Sequence, residues 1–598
     1  MSAEKIPARA VTLAGEFFWL AAMVWVVGGY VWPTLSPAEV PTLQAMLDPR
    51  LFQNDFVVRE SLRFTPRFYY NLLIYVPALA GVPLAWVCAG WQLIALGTLL
   101  TGLRALARTL GIGAVGAAIF VVWVLQADAG LLGASYIYIP APAPALWAMA
   151  AAVWGGALAA QERWRAAYLC FGAAALLQFL VGFYAGLLLL PALWRARGLR
   201  AMPAEIFGWV LGLAAVYLPM RLGGVTGGSE LTNAAFVEIY AQLRHPHHLI
   251  PTSWGWDSWT QAVVFYAGIA ACCLRLGQPA SPGARRLLQG ILIMTAGLLV
   301  LNYLGVEVWP SAFISKLQPA RATPFAQLAM LAALAVAFQN RIAQRDHVGA
   351  GLLALAPLSP YPGFLLLLAA VVLNGAAPGW TWRQTLLAAA TLLSFYETTW
   401  KFQGFALFYG VSVIVFLVLL VPAWLNRRPA GLALAGALAL AGGLACAALS
   451  TTSTWPRWLA GRFAIDAAPF DIPGILGEHF RKHAPVDAVV LVPPDGEVWA
   501  FKLYARRAMV VDIKHFPFTD RGIAEWRRRM GEVLGTPFVR GLDIDAAWAA
   551  QSPDRIAAIA ARYGARYVLT RDRWHPQLPG RRIDHLQDWS VWELPASH

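Results

Sequence analysis

Apolar residues fall along most of this chain in long unbroken runs, not in the alternating or three-to-four spaced stripes of a water-soluble fold. Runs of this kind lie at Val11–Trp32, Pro83–Leu103, Ile112–Ala127, Pro144–Ala160, Ala166–Leu193, Ile206–Leu222 and Ser258–Leu274. Others follow at Leu288–Leu304, Phe325–Phe338, Leu352–Leu373, Thr385–Phe395, Phe405–Leu425 and Gly431–Leu449. A helix crossing a bilayer needs about 20 predominantly apolar residues, so the pattern predicts many membrane helices of uneven length. The first run follows Lys5 and Arg9 like a secretory signal. It is too long for one and no small-residue cleavage site follows, so it reads as a retained helix.

The pattern changes near Leu449–Trp455. Beyond it, short β-branched runs at Ala488–Val492, Met509–Ile513, Arg566–Thr570 and Ser590–Leu594 predict strands. Asp520–Val533 and Pro553–Tyr563 predict helices, the second with Ser552 as N-cap. The expected organisation is a transmembrane domain over 1–450 and a small soluble α/β domain over 451–598. Composition agrees. The chain is 59% hydrophobic and 13% charged, against about 45–50% and 25% in soluble proteins. The last 148 residues hold 20 Lys/Arg and 17 Asp/Glu, while the first 450 hold only 26 and 15. A soluble, disordered or fibrous protein is thereby excluded. The net charge of +14 sits mostly in the membrane part, where topology accounts for it without a nucleic-acid partner.

Lys and Arg also orient the helices. With a cytoplasmic N-terminus, the inside segments collect 17 basic residues and the outside segments nine, four of them (Arg50, Arg59, Arg63, Arg67) in one loop. That bias requires two runs to return to the side they entered. Ala166–Leu193 lies between Arg163/Arg165 and Arg195/Arg197/Arg200, and the proline-broken Leu352–Leu373 lies between Arg345 and Arg383. Each is expected to be a pair of short or broken helices, giving about 13–15 in all and placing the C-terminal domain outside. The five cysteines lie in or beside apolar runs with no CxxC or zinc spacing, which reads as buried thiols.

Three outside loops carry candidate chemistry. The first, from Pro33 to about Tyr69, sets Asp48, Asp55 and Glu60 among the four arginines, with Glu39 nearer the preceding helix. A carboxylate kept ionised by neighbouring cations can serve as a general base to a hydroxyl, or it can merely tie the loop together. The second reads Arg244-His245-Pro246-His247-His248-Leu249-Ile250-Pro251 and holds three of the four histidines of the first 450 residues. These histidines could donate to a phosphate beside Arg244. A metal is compatible, but no carboxylate stands close by in sequence, so no metal or other cofactor is expected. The third is Lys316-Leu317-Gln318-Pro319-Ala320-Arg321, whose cations suit a lipid-linked phosphate or lipid headgroups. In the C-terminal domain the run Trp526-Arg527-Arg528-Arg529 reads as a helix with a solvated face. GxGxxG, P-loop and GxSxG patterns are absent there.

Together these loops resemble the GT-C superfamily of polytopic glycosyltransferases, which use polyprenyl-phosphate-linked sugars. The layout matches over the whole chain. More narrowly, LDPxLFxND at Leu47–Asp55, RxPHHxxP at Arg244–Pro251, LQPxR at Leu317–Arg321 and the ending from Arg562–Leu569 to Trp589–Leu594 resemble a group of bacterial membrane proteins of unassigned activity. The resemblance implies a GT-C-like helical fold in a bacterial inner membrane, with the C-terminal domain periplasmic. It implies an inverting hexosyl- or pentosyltransferase with a lipid-linked sugar donor, surrounding membrane lipids, and a glycan, lipid or protein acceptor. Asp55 is then the expected base and Asp48 the second choice. Arg321 and Arg244, with His247, His248, Lys316, Arg59 and Glu60, would bind the substrate. The alternatives are a lipid-glycan polymerase, ligase or flippase, or a non-catalytic scaffold of an envelope polysaccharide pathway. A flippase would be expected to carry cations within its helices, and this chain keeps nearly all its charge in loops.

Overall fold

The structure is a computed structural model. It describes residues 39–344 apart from 128–129, 140, 227–229 and 277–281, and residues 471–595, with a few positions near 30, between 350 and 358, and near 463. The expected helices at Val11–Trp32, Thr385–Phe395, Phe405–Leu425 and Gly431–Leu449 lie outside the described residues, as do nearly all of Leu352–Leu373 and the Leu449–Trp455 boundary.

The first part is helix on helix, as its apolar runs require. Leu84–Thr109, Phe179–Arg197, Met202–Leu222, Gly283–Val308 and Ala312–Ala343 are long and apolar enough to cross a membrane. Leu84–Thr109 packs on Pro144–Ala160, which packs on Trp164–Leu177, which packs in turn on Met202–Leu222. The run Ala166–Leu193 is indeed broken. Gln178 takes an extended backbone between Trp164–Leu177 and Phe179–Arg197, and the two helices fold back on each other. Close approach depends on small residues, the usual basis of helix packing in lipid. A Cβ on Gly212 would meet the Gly172 carbonyl oxygen at 2.4 Å.

Helix Thr323–Ala343 is apolar around nearly its whole circumference and buried along most of its length, which makes it central. Met202–Leu222 instead exposes Phe207, Leu211, Leu218 and Leu222, an apolar surface suited to lipid. A helix at Phe68–Leu79, where the sequence reads as the end of a loop, is an addition.

The C-terminal part is a five-stranded mixed sheet with helices. Its strands are β1 (Val489–Leu491), β2 (Ala508–Met509), β3 (Tyr567–Arg571), β4 (Arg581–Leu586) and β5 (Trp589–Glu593), in the order β2-β1-β3-β5-β4. β1 is parallel to β2 and β3, while β5 is antiparallel to β3 and β4. Alternation divides the strands between two cores. Val490, Leu569 and Val591 join Leu476, Phe480 and Phe501 on one face. Val489, Leu491, Val568 and Trp592 face Trp526, Met530 and Trp548 on the other, and this second core continues into Phe236, Ile239 and Leu243 of the helical part.

Helix Asp520–Leu534 is capped by Thr519, and Pro553–Arg562 by Ser552 as the sequence predicts. The strand expected at Met509–Ile513 shrinks to Ala508–Met509. It lies at the sheet edge, and the Met509 N–H on that edge donates to Asp55 of the helical part at 3.1 Å. An edge strand left bare would be a pairing hazard, and here a loop from the far end of the chain covers it.

Candidate functional site

The first loop folds through two local devices. A turn closes from the Asp48 carbonyl to the Leu51 N–H, and Phe52 takes a left-handed φ of 57°, which drives its ring against Ala45 and Val58. Asp55 then caps helix Phe56–Ser61, its Oδ1 accepting from the Val58 N–H at 3.0 Å. Its Oδ2 faces the sheet domain, 2.7 Å from Lys502 Nζ. Lys502 also reaches Asp512 at 3.3 Å and donates to His515 Nδ1 at 2.8 Å. Asp55 and Lys502 are only 1% and 2% exposed. Lys502 therefore holds its proton more tightly than usual, because the attraction of Asp55 and Asp512 outweighs its burial.

Around this pair the loops dock on the sheet domain. Asn54 donates to the Asp487 carbonyl, and Thr519 Oγ1 donates to Glu60 at 2.6 Å. Lys316 pairs with Asp520 at 2.8 Å, Arg527 with Glu238, and Arg529 lies over the Phe56 ring. The face of Asp520–Leu534 read as solvated is thus partly an interface, because Arg527 and Arg529 meet the helical part while Arg528 stays among Glu525 and Glu532.

Beneath the docked domain a second cluster is basic. The LQPxR segment builds part of it. Helix Ala312–Leu317 ends on Gln318 in the left-handed region (φ 50°), and Pro319 opens the short turn that presents Arg321. Gln318 accepts from Arg321 Nε and donates to the Tyr240 hydroxyl at 2.7 Å. Tyr184 donates to the Leu317 carbonyl at 2.7 Å. Tyr240 lies in a π-helical stretch, Glu238–Arg244, a distortion frequent at functional sites. Arg244, at its end, donates to the Lys514 carbonyl at 3.0 Å. Among the described residues neither Arg244 nor Arg321 has a carboxylate within ion-pair distance.

Arg67 lies within electrostatic range of Tyr240, Arg244 and Arg321, and pairs with the buried Glu39 at 2.7 Å. Burial lowers the Arg244 guanidinium to about 10. The histidines beside it are pushed toward neutrality by burial first and then by the arginines: His247 to about 4, His245 and His248 well below their usual value. An apolar cavity is lined by Leu106, Val153, Phe171, Leu189, Ile291 and Phe325, the last of them four residues beyond Arg321.

Of the residues singled out by sequence, Arg244, Arg321, His247 and His248 come together. Asp55, Glu60 and Lys316 go to the docking interface. Asp48 pairs with Arg50 near the loop surface, where that bond lowers its pKa, and the exposed Arg59 donates to the Gln53 carbonyl. Arg67, Glu39, Tyr240 and Gln318 are additions. His248 Nδ1 lies 2.6 Å from the Gly133 carbonyl oxygen. Gly133 itself has φ +70°, and a Cβ there would sit 2.9 Å from Ala320 Cβ. Gly133→Ala is therefore expected to destabilise the site by about 1–3 kcal/mol through left-handed strain and overpacking, displacing His248 and the Arg321 turn together. Thermal unfolding of the variant, with an unchanged midpoint as the contrary result, checks this.

A family described as a domain of unknown function (DUF6798) matches residues 475–533. No curated protein matches the sequence. Among solved structures, the chain is similar to ArnT from Cupriavidus metallidurans bound to undecaprenyl phosphate, at 13% identity and a TM-score of 0.43, covering 98% of each chain. It is similar to the arabinofuranosyltransferase AftD from Mycobacteria at 14% identity and a TM-score of 0.43, covering 99% of this chain and 40% of that one.

Proposed function

We propose that this membrane protein is a glycosyltransferase taking a sugar from a polyprenyl-phosphate donor at the periplasmic face of a bacterial inner membrane. One observation carries the reading: Arg67 lies within electrostatic range of both Arg244 and Arg321, the last two have no carboxylate partner among the described residues, and Phe325, four residues beyond Arg321, lines an apolar cavity. Guanidinium matches phosphate through paired hydrogen bonds, and an apolar channel beside it suits an isoprenoid tail.

In this reading Glu39 is the base, since its partner Arg67 belongs to the cation cluster. The Asp55 carboxylate, with both oxygens engaged and almost no exposure, serves instead to anchor the sheet domain. The acceptor hydroxyl gives its proton to Glu39 as its oxygen attacks the anomeric carbon. The bond from that carbon to the phosphate oxygen breaks with its electron pair leaving on the phosphate, and the sugar inverts. The three arginines stabilise the growing phosphate charge.

The test uses the full chain in nanodiscs with a panel of radiolabelled polyprenyl-phosphate sugars. Wild type is expected to bind one of them, with binding at least about tenfold weaker in Arg321→Ala, as loss of a charged hydrogen bond implies. Folded wild-type protein that binds no donor would refute the assignment.

A further inference from the structure

Three imidazoles stand at the edge of the cation cluster with no task assigned by phosphate binding alone. Pro246 opens the single turn Pro246–Leu249, and the turn gathers His245, His247 and His248 so that one ring nitrogen from each lies within 4.8 Å of the others. The His248 contact fixes a tautomer. A carbonyl oxygen only accepts, so Nδ1 beside Gly133 carries the hydrogen and Nε2 carries the lone pair. A backbone carbonyl holding the far nitrogen in this way is the usual support of a metal-binding histidine. His245 Nδ1 is buried with no partner among the described residues.

We propose that His245, His247 and His248 bind one transition-metal dication of the zinc class, leaving a fourth position open. Three imidazoles and an open position form a known catalytic zinc arrangement, with Zn–N bonds of about 2.0–2.1 Å, and an all-nitrogen set disfavours magnesium or calcium. The sequence withholds a metal because no carboxylate stands near. The folded site has none among the three either, and Arg244, Arg321 and Lys514 surround it with positive charge. Three neutral ligands leave the ion its full double charge, which favours an anion over neutral water in the fourth position. If the transferase reading holds, that anion is an oxygen of the donor phosphate, and the ion adds its charge to that of the arginines as the phosphate leaves.

The experiment measures zinc by mass spectrometry in purified full-length protein, after stripping with chelator and reloading. Wild type is expected to hold one zinc per chain, and His247→Ala and His248→Ala to fall to background while eluting as wild type. Arg321→Ala should keep its zinc. Cobalt substituted into wild type reports the ligand field without any variant and should give the intense visible bands of a tetrahedral site lacking thiolate charge transfer. Zinc no higher in wild type than in the histidine variants, or a cobalt spectrum of the hydrated ion, would overturn the site. Donor binding measured on the same samples separates the two readings: donor bound without metal removes only the metal site, and metal bound without any donor removes only the transferase assignment.

Discussion

Lys502→Met is expected to destabilise the docked sheet domain by about 3–5 kcal/mol, the usual cost of removing one partner from a buried ion pair. The ammonium lies between Asp55 and Asp512. Taking it away leaves two carboxylates facing each other where almost no solvent reaches. Asp55→Asn is milder, because Asp512 still balances Lys502, and an amide oxygen can accept from the Met509 N–H. The two changes touch one network, so their effects should not add. The double variant is expected to lie closer to wild type than the sum of the singles. Thermal unfolding followed by tryptophan fluorescence, with hydrogen exchange of Phe56–Ser61, reads the effect. A midpoint and exchange rate unchanged in Lys502→Met would show that the pair contributes nothing to docking.

Glu39→Gln is expected to lower turnover by about 10²–10⁴-fold, the contribution of a positioned general base, while donor binding survives. The substitution keeps the size of the side chain and an oxygen to face Arg67, but it removes the basicity. Asp55→Asn should lose less, and its loss should track its instability: turnover measured well below its unfolding temperature should recover toward wild type. Turnover abolished in a fully folded Asp55→Asn, with Glu39→Gln active, would return the base to Asp55 and reduce Glu39 to a partner of Arg67.

Much of this was readable in sequence wherever the signal is local. The arginines at both ends of Ala166–Leu193 predict the hairpin that Gln178 makes. The β-branched runs mark β1, β3 and β5, and the basic loop motifs single out Arg244 and Arg321, which the fold brings to the same tyrosine, Tyr240. What sequence hides is pairing at a distance. Asp55 reads as a base because nothing near it shows that its partner is Lys502, itself inside the short apolar helix Trp499–Ala505. Arg67 reads as one of four loop arginines, because only the fold carries it away from Arg59 and Arg63 to Tyr240. Phe68–Leu79 is missed because a polar opening and an internal Pro77 interrupt its apolar pattern.

The contact between Asp55 and Met509 spans 454 residues, which bears on how the protein is made. A ribosome adding about 5–20 residues per second leaves the first loop waiting roughly 20 to 90 seconds for its partner. Through that interval the Asp55 carboxylate has only its own helix cap, and the edge that will cover it does not yet exist. The arginine cluster is likewise unroofed until the last quarter of the chain has been made. A polypeptide cut short before Lys502 would thus keep its first loop and helices and still lack the sheet domain that covers the Arg244 and Arg321 cluster, so an interrupted translation leaves those cations uncovered.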